Sequence, residues 1–364
     1  MIRYRIFKYF IVNLVMFISI MSLSCGVDDD DDDNEYQPDS RINTYYVSKA
    51  GDDNSDGQTI DTPFRTIGRA FKVVGPGDTV LILPGIYHEE LTLEGVGNPD
   101  APIIIRGEDR TAVLDGQKKL NIGIWLEQCI NILIENLEIR NYTDIGIGVF
   151  LSSDLTLRHL TVHQNGTNAQ LEDWEIEGYG IHADESKKIT IENNEVYQNG
   201  PQPQSMKNLM GTGINTFGLT DSVIRNNRCY ENIGGGILVE DGVNILVEGN
   251  EVFSNDLDAS VDEWWDGGIW LDGGHDVTVR NNLFLNNKGP GIEISDEDHQ
   301  KPHGYVIENN TSTGNYYGIY IWNFGTSAFP SEQILQMSKN QISKNSRQNI
   351  WIVPWNCPPP TPCD

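Results

Sequence analysis

Two acidic residues in a short repeated stretch could carry acid–base chemistry. The segment GIWLDGGHDVTVRNNLFLNNKGPGIEISDED, residues 268–298, contains the pattern Gly-Ile-x-apolar twice, and the first copy carries Asp272 while the second carries Glu293. A third copy, GILVED, carries Glu240. Paired carboxyl groups cleave glycosidic bonds when one donates a proton and the other acts as nucleophile or base. We predict Asp272, Glu293 and Glu240 as catalytic residues.

These acids are placed by a repeat that dominates the chain from about residue 120. One half of the unit reads IENNEVYQN, IRNNRCYEN, VEGNEVFSN and VRNNLFLNN, and the other half reads GIHADE, GINTFG, GILVED, GIWLDG and GIEISD. A unit made of short alternating strands is typical of one coil of a parallel β-helix, since coils must stack to bury their apolar faces. We predict an all-β fold, a right-handed parallel β-helix (solenoid), with the hand following from the crossover rule.

Asparagine recurs at two fixed places in the repeat. The columns are Asn194, Asn227, Asn250, Asn282, Asn310 and Asn340, and then Asn199, Asn232, Asn255, Asn287, Asn315 and Asn345. Asparagine tolerates left-handed backbone and can pair its amide with the amide of the next coil. We predict that both columns are structural.

The candidate site follows from stacking the Gly-Ile strands. Residues two and four after each glycine should point away from the core. They form the columns Trp125, Gly148, His182, Asn215, Leu238, Trp270, Glu293, Tyr320 and Glu127, Phe150, Asp184, Phe217, Glu240, Asp272, Ser295, Trp322. With coils about 4.8 Å apart, Glu240 should lie directly below Asp272, and the Cα atoms of Asp272 and Glu293 should be about 8 Å apart. Their carboxyl groups could then be about 5–9 Å apart, which covers retaining and inverting glycosidases.

Aromatic residues and insertions complete the predicted site. Exposed aromatic rings beside carboxylates suit sugars, which present an apolar face and hydroxyl groups. Three insertions at one corner carry Trp174, Trp264 and Trp265, and a further one, EDHQKPHGY, leaves the other end of the strand near Glu293. The predicted substrate-binding residues are Trp270, Tyr320, Trp322, His182, Asp184, Trp265, Asp296 and His299. No cofactor is predicted to be required; a calcium ion bound by Asp272, Glu293 and Asp296 is an alternative use of the acids, and plain ionised surface is another.

The segment before the repeats resembles a known family. YYVSKAGDDNSDGQTIDTPFRTIGRAFKVVGPGDTVLILPGIYHEELTLEG, residues 45–95, resembles the N-terminal portion of secreted pectate-lyase-like β-helix proteins, including family-nine polysaccharide lyases. The resemblance spans roughly residues 44–355 and implies a short N-terminal capping helix, for which FRTIGRAFKVV has suitable apolar spacing. The calcium-binding Asp cluster and the Lys base of those lyases have no matching positions in this sequence.

The N-terminus predicts export. Arg3, Arg5 and Lys8 precede an apolar run that ends before Cys25, and SLSC resembles a lipoprotein signal in which Cys25 is lipidated, with plain secretion as the alternative. Six aspartates follow at residues 28–33, resembling the surface-export signal of Bacteroidota lipoproteins. The predicted organisation is signal peptide 1–25, acidic flexible tether 26–43, β-helix domain 44–355 and C-terminal tail 356–364. We expect a lipid anchor in the outer membrane, with the protein exposed to the extracellular side.

The net charge limits the classes of binding partner, and the cysteines indicate where a disulfide could form. The net charge of −28 argues against nucleic acid, because no basic stripe could offset phosphate repulsion. Cys129 and Cys229 sit singly in apolar strands, whereas Cys357 and Cys363 could form a terminal disulfide in an oxidising compartment. We expect a monomer that binds a polysaccharide or oligosaccharide.

Three functions fit these features. The leading hypothesis is a cell-surface glycoside hydrolase. The runner-up is a calcium-dependent lyase or epimerase acting on uronic-acid polymers, which needs a base such as Lys or Arg; the outer columns contain neither, and Lys288 and Lys301 lie only in nearby turns. The third is a non-catalytic glycan-binding lipoprotein.

Overall fold

The structure is a computed structural model that describes residues 42–167, 175–201, 208–257, 266–296, 303–322 and 334–353. In these residues the strands form three long parallel sheets, and each coil visits sheet 1, then sheet 3, then sheet 2. This arrangement confirms the predicted right-handed parallel β-helix. The signal peptide, all of the acidic tether but its last two residues, and the C-terminal tail lie outside the described residues, as do Cys25, Cys357 and Cys363.

The sheets contain the following strands. Sheet 1 comprises Thr44–Val47, Thr79–Ile82, Ile103–Gly107, Ile132–Glu135, Thr156–Arg158, Thr190–Glu192, Thr220–Arg225, Val243–Glu248, His275–Arg280, Tyr305–Glu308 and Leu335–Ser338. Sheet 2 comprises Leu91–Glu94, Ile122–Glu127, Ile145–Phe150, Tyr179–Asp184, Ile214–Phe217, Ile237–Glu240, Ile269–Asp272, Ile292–Ser295, Tyr317–Ile321 and Gln348–Ile352. Sheet 3 comprises Gly85–Tyr87, Ala112–Asp115, Glu138–Arg140, Thr161–His163, Glu195–Tyr197, Arg228–Tyr230, Glu251–Phe253, Leu283–Leu285, Thr311–Thr313 and Gln341–Ser343.

A short helix, Ile67–Phe71, packs against the first strands of sheets 1 and 2, as the resemblance implied. It begins after Thr66, whose hydroxyl accepts a hydrogen bond from the Arg69 amide at 3.2 Å. The Glu89 carboxylate accepts from two further amides at the start of the helix, those of Ile67 at 3.1 Å and Gly68 at 2.8 Å. These contacts satisfy N–H groups that a helix leaves unpaired in its first turn.

The interior is filled by the isoleucine and apolar positions of the Gly-Ile strands. Ile269, Leu271, Ile292 and Ile294 are fully buried in the main core, whereas Trp270 belongs to a separate apolar cluster on the other side of sheet 2. The alternation of sides along each strand therefore holds. Both predicted outer columns also stack in the expected register from Trp125 and Glu127 upward.

The asparagine columns form two continuous buried ladders at the corners that flank sheet 3. Asn232 is representative: its Oδ1 accepts from the backbone amide and the Nδ2 of Asn199, each at 3.1 Å, and its Nδ2 donates to Asn255 Oδ1 at 2.9 Å. The ladder residues themselves do not use the left-handed backbone that asparagine tolerates. The positive φ falls on the residue before each one, such as Asn193 and Glu231, because the ladder side chain must turn inward to reach the next coil.

The outer face of sheet 1 carries a column in which arginine and glutamate alternate. Its members are Arg106, Glu135, Arg158, Glu192, Arg225, Glu248, Arg280 and Glu308. Ion pairs join neighbouring coils, with Arg158 Nε 2.8 Å from Glu135, Arg225 Nη2 2.6 Å from Glu192 and Arg280 Nε 2.9 Å from Glu248. Each charge in this column is thus offset by an opposite charge in an adjacent coil.

The three predicted insertions leave the same corner, between sheets 3 and 2. The first two contribute a parallel pair of short strands, Glu175–Glu177 and Asn208–Met210. Glycines close the bases of these insertions: Gly166 meets Gly178 and Gly200 meets Gly211, so closely that a Cβ atom would collide with the opposite backbone. No helix in the described part of the chain has the length and apolar character needed to cross a membrane.

Candidate active site

The predicted carboxylates come together on the outer side of sheet 2. Glu240 pairs with Asp272 in the next coil, Asp272 pairs with Ser295, and Glu293 pairs with Trp270. Glu293 is therefore one coil above Asp272 and one outer position before it along the strand. This is the diagonal arrangement that the repeat predicted.

Two tryptophans hold the two acids in place. Trp270 Nε1 donates to Ser295 Oγ at 2.7 Å, and Ser295 Oγ donates in turn to Asp272 Oδ1 at 2.6 Å. Trp322 Nε1 donates to Glu293 Oε1 at 2.6 Å. Glu293 is thus oriented directly by Trp322, and Asp272 is oriented by Ser295, which Trp270 holds in turn. Both indole N–H groups are already in use.

The prediction that this row is exposed is wrong. Trp270 and Asp272 are each 6% exposed, and Trp322, Tyr320 and Glu293 are 4%, 2% and 1% exposed. Side chains stacked about 4.8 Å apart cover one another. The candidate binding aromatics, Trp270, Tyr320 and Trp322, therefore do not offer open ring faces to a sugar in this conformation, and they build a buried wall around the acids instead.

A further group of acids surrounds the turn that follows Asp272. The hydroxyl of buried Tyr305 donates to the Gly273 carbonyl. Burial raises the pKa of Tyr305 well above its usual value, and the negative charges of Asp272, Asp296 and Asp241 raise it further. Asp296, predicted to bind substrate, thus does lie with Asp272. Sequence reasoning missed Asp241 and Tyr305, although Asp241 directly follows Glu240 in VEDG.

A second polar cluster lies lower on the same face. His182 and Asn215 are stacked neighbours in the outer column, and His182 Nδ1 accepts from Asn215 Nδ2 at 2.9 Å. The ring of Tyr179 stacks on the His182 imidazole, with centroids 5.1 Å apart. Burial lowers the pKa of His182 to about 4, so the imidazole is neutral at physiological pH.

Asp184 lies in the adjacent outer column between Phe150 and Phe217. Burial raises the pKa of Asp184 to about 7, with a smaller contribution from the negative charge of Glu185. Asp184 Oδ1 is buried and has no hydrogen-bond partner in the structure, and the same holds for Asn215 Oδ1. A carboxyl group that is about half protonated near neutral pH can act as a proton donor, a role that the sequence did not indicate.

Two predicted substrate-binding residues, Trp265 and His299, lie outside the described residues, as do Trp174 and Trp264. The remaining predicted residues form two groups on one face. The upper group contains Glu240, Trp270, Asp272, Glu293, Asp296, Tyr320 and Trp322, and the lower group contains His182 and Asp184. The column order places Phe217 between the two groups.

Comparisons with known proteins agree with this architecture. Residues 167–334 match a family model described as a right handed beta helix region, and residues 49–105 match one described as a protein of unknown function, DUF1565. The chain is 28% identical over 339 residues to the uncharacterized protein YwoF of Bacillus subtilis (strain 168), covering 84% of this chain and 69% of that one.

Similar solved structures have the same fold at low sequence identity. Pectate lyase Pel9A gives a TM-score of 0.65 at 18% identity, covering 88% of this chain and 79% of the other. An alginate lyase from Paenibacillus sp. str. FPU-7 gives 0.57 at 16% identity, covering 80% and 96%. XylC, solved in complex with xylose, gives 0.54 at 13% identity, covering 77% and 67%.

Proposed function

We propose that this protein is a carbohydrate-active enzyme, most specifically a glycoside hydrolase, that cleaves a polysaccharide or oligosaccharide on the outer side of sheet 2. The observation that carries this proposal is the register that brings Glu240, Asp272 and Glu293 onto adjacent coils of one face. Two carboxyl groups separated by about one coil and one outer position have the spacing that glycosidases use. Asp272 and Glu293 divide the roles of proton donor and of nucleophile or base.

Glu240 supports this pair from below. Two carboxylates about 5 Å apart repel each other by roughly 3 kcal/mol at an effective dielectric constant near 20. Such repulsion favours a shared proton among Glu240, Asp272 and their neighbours, which a general acid needs. The indole N–H that fixes Glu293 and the serine that fixes Asp272 keep the two groups in separate orientations.

Asp184 supplies a further proton donor on the same face. Its pKa of about 7 keeps a large share of it neutral at physiological pH. It lies two coils below Glu240, a distance of about 10 Å between Cα atoms, with Phe217 between them.

We favour hydrolysis over elimination because of the side chains that could act as a base on the outer side of sheet 2. A lyase or epimerase needs a base that removes the proton next to a carboxyl group, and the outer columns of sheet 2 contain no Lys or Arg among the described residues. The solved relatives include two lyases and a protein bound to xylose, so action on a sugar polymer fits either chemistry. Burial does not separate hydrolysis from binding without catalysis, because Asp272 and Glu293 are as buried as Trp270, Tyr320 and Trp322.

Product analysis separates these functions. The protein is incubated with a panel of plant and algal polysaccharides, with and without calcium, while reducing ends and ultraviolet absorbance of unsaturated uronic acids are followed. Hydrolysis yields reducing ends alone, and this is the expected result. Unsaturated products would replace the proposal by a lyase, and binding without any product would replace it by a glycan-binding protein.

We further propose that lipidated Cys25 anchors the protein to the outer membrane, with the aspartate run extending it towards the extracellular side. Lipid labelling in cells should mark the parent chain and not the Cys25→Ala variant. Protease added to intact cells should remove the parent from the surface. A labelled Cys25→Ala chain, or a parent that resists external protease, would contradict the proposal.

A further inference from the structure

Two histidines and an aspartate converge at the turn between sheets 2 and 1, outside the carboxylate row. His275 begins the sheet 1 strand that follows Asp272, Asp276 comes next, and His303 precedes the next sheet 1 strand. One potential ligand atom from each residue lies within 4.8 Å of the other two. His275 Nδ1 is 2.8 Å from Asp276 Oδ2, and the two imidazole rings are stacked with centroids 4.6 Å apart.

The backbone fixes the positions of these three residues. The Asp276 amide donates to the His303 carbonyl at 2.8 Å, which joins the two coils at this point. The His275 amide donates to the Gly242 carbonyl of the coil below at 2.9 Å. Gly304 has a left-handed φ of 69°, and a Cβ there would collide with the Asp276 carboxylate, so glycine allows that carboxylate to lie beside His303.

We propose that His275, Asp276 and His303 bind one divalent transition-metal ion, with zinc as the best match. Two imidazoles and one carboxylate are a ligand set that zinc accepts in tetrahedral sites, where water completes the fourth position. Nitrogen–zinc distances of about 2.0–2.1 Å place neighbouring ligand atoms about 3.3 Å apart. The half-exposed side chains of His275 and Asp276 can reach this spacing by side-chain rotations that unstack the two imidazole rings, since their backbone is already in place.

The ion would act as a cross-link between coils. It would join His275 and Asp276 in one coil to His303 in the next coil. The ligand set differs from the all-oxygen set that calcium prefers, so this site is distinct from any calcium bound by the carboxylate row. The inference does not depend on the proposed hydrolase activity.

Zinc titration of the chelator-treated full chain tests the proposal. Isothermal titration calorimetry should show one zinc bound per chain, and calcium in excess should not displace it. His275→Ala and His303→Ala should each weaken binding by at least about 10-fold, because loss of even an indirect partner of a zinc ligand costs that much. His88→Ala is the matched control, since His88 is an exposed histidine in an early coil, where its Nδ1 contacts the Asp115 carbonyl.

Two readouts on the unmodified chain guard against misfolded variants. Cobalt should give the visible spectrum of a tetrahedral nitrogen and oxygen site, and zinc should shift the ring resonances of His275 and His303 and leave those of His88 unchanged. The absence of saturable zinc binding would overturn the proposal. So would equal zinc affinity in the parent and in both histidine variants, or resonance shifts confined to other histidines.

Discussion

The outer faces of sheets 1 and 2 belong to the same coils and share the same parallel register, yet their side chains differ in kind. On sheet 1, arginine and glutamate alternate, and ion pairs such as Arg225–Glu192 link successive coils at the surface. On sheet 2, the corresponding column carries carboxyl groups, aromatic rings and a serine with no arginine or lysine. Most of its upper members are buried.

This difference separates scaffold from site. Stacked coils need side chains that do not repel those of the adjacent coils. Alternating charges meet this need, and each exposed ion pair contributes up to about 1 kcal/mol to the free energy of unfolding. Stacked acids such as Glu240 and Asp272 cannot be explained by that need, because like charges in adjacent coils repel. Their presence on one face of an otherwise regular stack is the reason that we propose this face as the functional one.

The largest contrast is expected from removing one carboxylate on each face. Asp272→Asn and Glu293→Gln should each lower kcat on the cleaved substrate by about 10²–10⁴-fold, because each removes a proton-transfer or nucleophilic group. Glu248→Gln is the matched control on sheet 1, and its activity should stay within about twofold of the parent, since the hydrogen-bond partners of Glu248 are Arg280 and Asn281, away from the outer side of sheet 2. Full activity in both sheet 2 variants, with their circular dichroism unchanged, would end the assignment of these two residues.

Removal of a ladder asparagine should disturb both faces together. Asn255→Ala removes the bonds from its Nδ2 to the Cys229 carbonyl and to Asn287, each 3.0 Å, and those that its Oδ1 accepts from Asn232. We expect the free energy of unfolding to fall by about 4 kcal/mol, because buried donors and acceptors lose their partners. Urea unfolding measures this.

Asn121→Ala is the comparison for this variant, because Asn121 is exposed and its side chain accepts only from the Thr143 hydroxyl. Its effect should stay within about 0.5 kcal/mol. Equal losses in the two variants would show that the ladder contributes no more than a surface amide.

The pH dependence of the free energy of unfolding should reveal the titration of two buried residues on sheet 2, Asp184 and His182. With a pKa of about 7, Asp184 in the folded protein keeps its proton between about pH 4 and 7, whereas in the unfolded chain it loses that proton. Its contribution to the free energy of unfolding is therefore complete below about pH 4 and is lost as the pH rises to about 7. His182, with a pKa of about 4, acts oppositely: its contribution is complete above about pH 6.5 and lost as the pH falls to 4. The two slopes largely cancel in the parent.

Single substitutions should separate these slopes. Relative to the parent, Asp184→Asn should gain stability as the pH rises from 4 to 7, and His182→Asn should lose stability as the pH rises from 4 to 6.5, each by on the order of 3 kcal/mol. Urea unfolding between pH 4 and 8 measures both. Profiles that run parallel in the parent and both variants would show that neither group titrates as the burial implies.

The smallest effect is expected from reversing one charge on sheet 1. Arg225→Glu places three glutamates in successive coils, between Glu192 and Glu248. Thermal unfolding should show a loss of about 1 kcal/mol that shrinks in high salt, because partly exposed charges are screened. Arg110→Glu, at an exposed turn, is the control, and activity should be unchanged in both variants. A loss that does not respond to salt would point to packing of the arginine stem instead.

Much of the fold was predictable from the sequence because each coil repeats the pattern of the coil before it. The spacing of Gly268 and Gly291 set the register, and the register then placed Glu240, Asp272 and Glu293 without further information. The direction of each side chain followed from strand alternation. The arginine–glutamate column was equally readable, since the second letter of IEN, IRN, VEG and VRN alternates in sign.

Features that depend on neighbouring segments were not predictable. Strand alternation predicts the side of the sheet to which the Trp270 side chain points. The burial of that side chain depends instead on the other residues that cover this side of the sheet. The raised pKa of Asp184 depends first on its burial, and the residues stacked on either side of it, Phe150 and Phe217, come from other coils. The meeting of His275 and His303 depends on where an insertion returns to the stack, and a repeat gives no rule for that.

The glycine pairs at the insertion bases have an evolutionary consequence. Gly166 meets Gly178, and Gly200 meets Gly211, so the two ends of each insertion lie in contact where the chain leaves and re-enters its coil. Segments of different length or composition can therefore be exchanged between those glycines while the coil beneath keeps its path. Such a protein can acquire a new ligand specificity by exchange of whole loops, while its β-helix stays the same.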